Sequence, residues 1–224
     1  MDWKNITSAK NFYLLIALLS YFLFSPFIIN NHTIDFAFTL LLCLAILITV
    51  NIVSRNKLTH NASWFFAYMT LLCYFTIIAF GPMRLLFIIY FILVTLFFLS
   101  MTIAVIFTVA KEHVITLNTL LGSICGYLMM GLTWTYVYLT IAHINPQAFS
   151  YHLEGTMRDS IQHFIYYSYT TLTTLGYGDI VAKTDLARSI SWLEAATGQI
   201  YLAVWISQLV ALHIAQRIKS DNLN

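Results

Sequence analysis

The stretch "YYSYTTLTTLGYGDI", from Tyr166 to Ile180, interrupts a chain that is otherwise almost continuously apolar. It gathers threonines, two glycines, tyrosines and an aspartate between long runs of Leu, Ile and Phe. Of the 224 residues, 60% are hydrophobic and 9% are charged, whereas a soluble domain carries roughly a quarter charged residues. No aqueous fold can bury so much apolar surface, so we expect a membrane protein in which this polar stretch has a special place.

Six apolar runs make up most of the chain. Each approaches or exceeds the length of about 20 residues that a transmembrane helix needs, and runs this long with little alternation favour helices over strands. The runs are Phe12–Ile29, Ile34–Val53, Ala62–Phe80, Leu85–Ala110, Leu117–Ile144 and Ala187–Ile218. The sequence therefore predicts an all-α membrane protein with six transmembrane helices per chain.

The positive charges predict the orientation in the membrane, because short cytoplasmic loops carry an excess of Lys and Arg. With both termini inside, the cytoplasmic side receives Lys4, Lys10, Arg55, Lys57, Lys111, Arg217 and Lys219, and the outer side receives Arg84, Arg158, Lys183 and Arg188. We therefore expect a multi-pass protein of the cell membrane, with lipid as a partner and both termini cytoplasmic. The net charge of +2, without a basic run, excludes nucleic acid as an expected partner.

The polar stretch itself divides into a short helix and an irregular segment. Asp159 can cap a helix over "SIQHFIYYSYTTLT", which is too short to span the bilayer and suits a re-entrant pore helix. The following "TLGYGD" cannot be helical throughout, and irregular backbone in a membrane must be buried in protein or line a water-filled path. Alternating glycines allow positive φ, which lets successive carbonyls face one line as potassium coordination requires. The expected K⁺ ligands are the carbonyls of Thr174, Leu175, Gly176 and Tyr177, with the Thr174 hydroxyl below them.

"TTLGYGD" resembles the selectivity-filter signature of the tetrameric potassium channels, and the chain from Leu117 onward resembles a bacterial potassium channel pore domain. The resemblance implies an outer helix, a pore helix, an extended filter and an inner helix, and a location in a bacterial inner membrane. Thr174 to Gly178 match the filter, and Asp179 matches the acid at its outer mouth. A pore needs about four such loops and the chain carries one, so we expect a four-fold symmetric homotetramer.

This division predicts two regions: a four-helix transmembrane region over residues 1–116 and a pore domain over residues 117–224. The fourth apolar run contains no arginine, whereas voltage sensors carry several in that span. Conventional voltage gating is therefore not expected. The first region is either a passive scaffold or a sensor of lipid, tension or a partner.

The resemblance extends to residues that support the filter. Tyr166 and Tyr167 lie where many family members have an aromatic cuff that holds the filter tyrosine, here Tyr177. Thr170 lies where some bacterial members have an acid that bonds the outer-mouth aspartate, so that bond does not carry over. Leu175 replaces the commoner Val or Ile, which leaves the degree of selectivity open. The remaining predicted support residues are Thr171 and Thr173.

Glu194 is the charged residue that lies well inside a predicted span. A charge there costs about 2.5–3.5 kcal/mol on insertion scales and normally finds a polar partner. One interpretation is a structural hydrogen bond to a pore-helix hydroxyl such as Thr170 or Thr171. The other is that protonation of Glu194 tunes the filter.

The last span carries the predicted gating and cavity residues. Gly198 falls where the family often places a hinge glycine. Gln199, Leu202, Ile206 and Val210 share one helical face, which the family register turns toward the cavity; packing against a helix is the alternative for Gln199. His213, near the cytoplasmic end, is either a proton-sensitive gate or an interfacial histidine without a gating role.

The pattern as a whole predicts a potassium-selective channel that moves ions passively. The alternatives are a weakly selective cation channel and a non-conducting, channel-like membrane sensor or subunit. No Ser/His or His/Asp constellation at membrane depth suggests an enzyme. Cys43, Cys73 and Cys125 lie in apolar runs without metal-ligand spacing, so potassium, the permeant ion, is the expected ligand and no cofactor is expected.

Overall fold

A computed structural model of the chain describes residues 10–24, 57–81, 83–111, 116–150 and 157–221. In this part of the chain six helices follow one another: α1 (Lys10–Phe24), α2 (Lys57–Phe80), α3 (Arg84–Ala110), α4 (Leu117–Ile144), α5 (Met157–Leu172) and α6 (Asp185–Asp221). The same residues contain no sheet, although an isolated antiparallel bridge pairs Phe149 with Ala182. The prediction of an all-helical protein is confirmed for the described chain.

Three helices are long and apolar enough to cross a membrane: His60–Phe80 within α2, all of α3 and all of α4. They coincide with the third, fourth and fifth predicted spans, so the chain is a multi-pass membrane protein. The described part of the first span is the shorter apolar helix Asn11–Phe24. The second predicted span, Ile34–Val53, lies outside the described residues. The sixth predicted span, Ala187–Ile218, is one continuous helix within α6. Because α6 is more polar than α3, it is not among the three helices that are long and apolar enough to cross a membrane.

The chain divides into two compact units. One contains residues 61–100 and 129–201, which include α5, the polar stretch and the first part of α6. Its helices are joined largely by aromatic rings. Phe98 stacks on Tyr136 with centroids 5.3 Å apart, and Phe91 contacts His143 at 4.8 Å. Aromatic pairs stabilise a core by more than the burial of their surface alone. These rings therefore strengthen the packing of α3 on α4 within this unit.

Hydrogen bonds at the end of α4 and in the loop beyond it also stabilise this unit. The Arg84 guanidinium donates to the carbonyls of His143 and Ile144, at 2.9 and 2.8 Å, and so caps the unpaired C-terminal carbonyls of α4. Beyond α4, the Ser150 amide donates to the Val181 carbonyl at 2.8 Å. That pairing ties the loop after α4 to the segment that follows the polar stretch.

The other unit contains residues 1–60, 101–128 and 202–224. In its described part, Asn11 of α1 is tied to Asn118 of α4: its amide donates to the Asn118 side-chain oxygen at 2.9 Å, and its Nδ2 donates to the Asn118 carbonyl at 2.8 Å. Asn11 and Val109 pack so closely on Gly122 that a Cβ at this position would overlap both side chains. This unit therefore depends on a glycine and an asparagine pair where its helices meet.

Candidate functional site

The helix α5 lies where the short pore helix was predicted. Its 16 residues give a length of about 24 Å, less than the hydrocarbon thickness of about 30 Å. It begins at Met157, so Asp159 lies inside the first turn and not before the helix as the predicted cap.

The segment after α5 has an alternating backbone conformation. Thr174, Gly176 and Gly178 have φ values of +59°, +54° and +81°. Positive φ was expected at the glycines, but Thr174 is a β-branched residue in a region that such residues rarely enter. Placing every second residue in the left-handed region turns alternate peptide planes over. Successive carbonyl oxygens can then point to one side of the strand.

Hydrogen bonds anchor the other side of this segment to the end of α5. The amides of Leu175 and Gly176 both donate to the Thr170 carbonyl, at 2.8 and 3.1 Å, and the Thr174 amide donates to Thr171 at 2.9 Å. Among the described residues, no hydrogen bond reaches the carbonyl oxygens of residues 174–177. The backbone therefore uses its donors internally and leaves its acceptors available to a ligand.

Tyr166 contacts the exposed end of this segment. Its ring is stacked on Tyr177, with centroids 6.3 Å apart and planes within 3°. Its hydroxyl donates to Asp179, which lowers the pKa of that carboxyl and raises the pKa of Tyr166 to about 12. The Ile180 amide donates to the same carboxylate at 3.0 Å. The hydrogen bond from Tyr166 therefore favours the ionised form of Asp179.

Tyr167 lies elsewhere, although it was expected to hold Tyr177 together with Tyr166. It is buried, its ring packs on Tyr138 and Phe149 at 4.9 and 5.4 Å, and its hydroxyl shares a 2.7 Å hydrogen bond with Ser191. Consecutive residues on a helix point about 100° apart, so only one of Tyr166 and Tyr167 can face the segment from Thr174 to Gly178. Within the chain, Tyr167 fastens α5 to α4 and α6.

The threonine hydroxyls at the end of α5 bond to their own helix. Thr170 and Thr171 donate to the Tyr167 carbonyl at 3.0 and 2.8 Å, and Thr173 donates to the Tyr169 carbonyl at 2.6 Å. These bonds add a second donor to carbonyls that also accept backbone amides; the Tyr169 carbonyl, for example, accepts from the Thr173 amide at 3.1 Å as well. None of the three hydroxyls is the partner of Glu194.

Glu194 is completely buried and has two hydrogen-bond partners. The Tyr138 hydroxyl donates to Oε2, and Oε1 lies 2.6 Å from the Ser168 hydroxyl oxygen. A pore-helix hydroxyl was expected as the partner of Glu194, with Thr170 or Thr171 as the candidates. The structure corrects this to Ser168, because Phe164, Ser168 and Leu172 share the fully buried face of α5. Tyr138 was missed, since nothing in the sequence separates it from other tyrosines of α4.

Two glycines allow the helices around Glu194 to approach closely. A Cβ at Gly198 would lie 2.5 Å from the Leu172 carbonyl oxygen, so α6 touches the end of α5 at this point. A Cβ at Gly131 would lie 2.6 Å from the Tyr169 ring. Gly198 was expected as a hinge, and that role stays a prediction. Gly131 was missed, because only the packing of α4 on α5 gives it a role.

The face of α6 predicted to line a cavity is exposed in the single chain. Gln199, Leu202, Ile206 and Val210 are all accessible, but so are Ile200 and Val204 on other faces. Exposure therefore does not by itself select one face. The side chain of His213 lies outside the described residues. The part of the chain that the structure describes holds no group of three His, Cys, Asp or Glu side chains that could bind a metal.

Comparisons with known proteins show that part of this chain is similar to ion channels. Residues 130–214 match a protein family described as "Ion channel". "Two-pore potassium channel 4" of Arabidopsis thaliana is 26% identical over 99 residues, which cover 43% of this chain and 35% of that relative. No solved structure matches. The matched segment, from α4 through α5 to most of α6, is thus similar to ion channels rather than to enzymes, and its similarity to potassium channels is distant.

Proposed function

We propose that this chain forms a potassium-selective channel that conducts K⁺ passively through a filter of backbone carbonyls. The observation that carries the proposal is the alternation of positive φ at Thr174, Gly176 and Gly178, together with amides bonded back to α5. This conformation turns acceptors away from the supporting helix. A dehydrated K⁺ needs such oxygens in place of its hydration shell.

The proposed ligands are the carbonyls of Thr174, Leu175, Gly176 and Tyr177 and the Thr174 hydroxyl, with Gly178 completing the filter. The double hydrogen bond to the Thr170 carbonyl keeps the backbone from collapsing when an ion leaves. The C-terminal end of α5 carries partial negative charge and adds a favourable field for a cation beneath the filter. Asp179, ionised at the outer mouth, concentrates cations at the entrance.

The complete pore is a homotetramer around one axis. A single chain supplies one filter segment, and a ring of carbonyls needs about four. The exposure of the segment supports this assembly: Leu175 is 56% and Tyr177 68% exposed in the single chain. A strand with unpaired carbonyls is unstable against lipid, so in the membrane it requires other copies around it.

The rest of the proposed architecture follows from the sequence. Residues 117–224 form the pore domain, and residues 1–116 form a four-helix region without a voltage sensor's arginines, in a cell membrane with both termini cytoplasmic. Gln199, Leu202, Ile206 and Val210 line the inner cavity. Gly198 and His213 are the candidates for movement at the inner helix.

Potassium flux in liposomes containing the full-length protein tests the proposal. We expect flux in the wild type and none in Gly176→Asp, because a side chain at φ +54° distorts the filter and adds a charge among the ligands. Gly81→Asp is the matched control, since Gly81 also has positive φ and open surroundings but lies between α2 and α3. That control keeps its flux.

The reversal potential under a sodium–potassium gradient tests selectivity separately. A value near the potassium equilibrium potential supports the proposal, and a value near zero replaces it with a weakly selective cation channel. Wild-type tetramers without flux at any pH, voltage or tension exclude conduction and leave a channel-like membrane subunit.

A further inference from the structure

The hydroxyl of Ser168 lies between two oxygens. Its Oγ is 2.6 Å from Glu194 Oε1 and 2.8 Å from the Gly131 carbonyl oxygen. A serine hydroxyl has one proton to donate. A carbonyl oxygen has none, and an ionised carboxylate has none. Three oxygens at these two distances therefore need two protons, of which Ser168 supplies one.

The missing proton has one consistent position. If Glu194 were ionised, Ser168 would have to donate to it, and the Ser168 and Gly131 oxygens would face each other at 2.8 Å with no proton between them. If Glu194 is a neutral acid with its proton on Oε1, the acid donates to Ser168 and Ser168 donates to Gly131. Oε2 is then a carbonyl oxygen that accepts from Tyr138. Each of these three contacts then has a proton, and the Gly131 carbonyl accepts from the Thr135 hydroxyl at 2.8 Å as well.

We propose that Glu194 is a neutral carboxylic acid at physiological pH, and that the chain Glu194–Ser168–Gly131 is a proton-dependent clasp that holds α6, α5 and α4 together behind the filter. Glu194, Ser168 and Tyr138 are its positioning residues, and none of them contacts the conducted ion. The clasp requires the proton, so it is closed at low and neutral pH and opens as the pH rises.

In the part of the chain that the structure describes, no side chain of opposite charge pairs with Glu194. Tyr138 faces it from α4, Ser168 and Tyr167 lie on α5, and Ser191 lies one turn before it on α6. The ion pair that the structure describes, between Arg188 and Asp185, does not involve Glu194. A buried carboxylate without a counter-charge is costly. Neutralisation removes that cost.

The clasp acts at the part of α5 that holds the filter. Ser168 is two residues before Thr170, whose carbonyl accepts the Leu175 and Gly176 amides. When Glu194 loses its proton, Ser168 must turn its own proton to the carboxylate, and its link to Gly131 is lost. The helix α5 is then less firmly held against α4, and the filter amides lose their fixed anchor. We therefore expect flux to fall as the pH rises.

Infrared spectroscopy of the full-length protein in a detergent without ester groups tests the protonation itself. Exposed carboxyls are ionised at neutral pH, so the carbonyl band of a buried protonated acid is separate from the carboxylate bands. We expect this band in the wild type at pH 7 and its loss in Glu194→Gln. Loss of the same band from the wild type at alkaline pH should accompany the loss of flux. A wild type without a protonated-carboxyl band at pH 7 overturns the proposal.

Flux assays test the clasp. Glu194→Gln should keep flux within about twofold of wild type, because the amide can donate to Ser168 and accept from Tyr138, and it should abolish the alkaline fall. Ser168→Ala should lower flux by about fivefold or more. Thr140→Val is the control, since the Thr140 hydroxyl donates to the Tyr136 carbonyl of its own helix, α4, away from the proposed filter.

Other outcomes contradict the clasp. A wild-type flux that is constant or rises with pH, or a Glu194→Gln channel with the wild-type alkaline fall, overturns it. The flux readout rests on the proposed channel function, whereas the infrared band does not. A protein with the band but without flux therefore keeps the neutral acid and loses the proposed function.

Discussion

The proposed filter segment, Thr174 to Gly178, differs from the cluster around Glu194 in which groups carry its function: the backbone in the first, side chains in the second. Between Thr174 and Gly178 the exposed backbone presents the functional groups, and the side chains matter mainly through the φ values they permit. Around Glu194 the functional groups are buried side chains on three helices, and the backbone matters through the close approach at Gly198. We therefore expect the first region to be sensitive to changes of backbone conformation, and the second to be sensitive to changes that remove a hydroxyl or add bulk.

The largest effect is expected in the backbone region. Gly176→Ala should abolish potassium flux, because an L-residue pays about 1–2 kcal/mol at this φ and shifts the carbonyls from their common line. Gly81→Ala, at φ +86° outside the pore domain, should lose similar stability but keep its flux. Flux and thermal unfolding of both variants are the measurements. Equal loss of flux in both would show that stability, and not filter conformation, is what fails.

Close packing behind the filter comes next. Gly198→Ala should destabilise the protein by about 1–3 kcal/mol and reduce flux, because its Cβ meets a backbone carbonyl that cannot move aside. Gly131→Ala should cost less, since its Cβ meets the Tyr169 ring, which can rotate. Thermal unfolding in detergent ranks the two. A larger loss at Gly131 would contradict the close contact between α6 and the end of α5.

A smaller, pH-dependent effect is expected at the outer mouth. Tyr166 lowers the pKa of Asp179, so this hydrogen bond is present at neutral pH and is lost as the pH falls through the lowered pKa. Tyr166→Phe raises that pKa toward its ordinary value, and any acid-induced loss of flux should begin at a higher pH. Tyr167→Phe is the control, since Tyr167 bonds Ser191. If flux depended on pH in the same way in Tyr166→Phe and in the wild type, ionisation of Asp179 would have no role in conduction.

The smallest effect is expected at Thr173. Thr173 directly follows α5, and its exposed hydroxyl donates to the Tyr169 carbonyl, so Thr173→Val should change stability and flux little, within about 0.5 kcal/mol and twofold. Ser168→Ala is the comparison. If Ser168→Ala reduced flux as little as Thr173→Val does, the buried hydrogen bonds of Ser168 would not be needed for conduction.

Local sequence was sufficient for the helices and the backbone segment. Runs of apolar residues predicted α2, α3 and α4 to within a few residues, because helix length and hydrophobicity are local properties. Gly176 and Gly178 predicted positive φ for the same reason. The left-handed conformation of Thr174 was not predicted, since a threonine adopts it only when the flanking hydrogen bonds to α5 impose it.

Partners across the helices could not be chosen from the sequence. Ser168, Thr170 and Thr171 are hydroxyls within one turn of α5, and only the packing of α5 on α6 decides that Ser168 meets Glu194. The same packing separates Tyr166, on the filter side, from Tyr167, in the core. It also gives Tyr138 and Gly131 their roles.

The sequence by itself determined that this is a multi-pass helical membrane protein with one short, irregular, glycine-containing segment, because hydrophobic length and glycine φ preferences act over a few residues. The tertiary structure decided which amides anchor that segment, which tyrosine faces it and which hydroxyl meets Glu194. Those contacts depend on the distance and rotation between helices, which are set by the packing of many side chains at once.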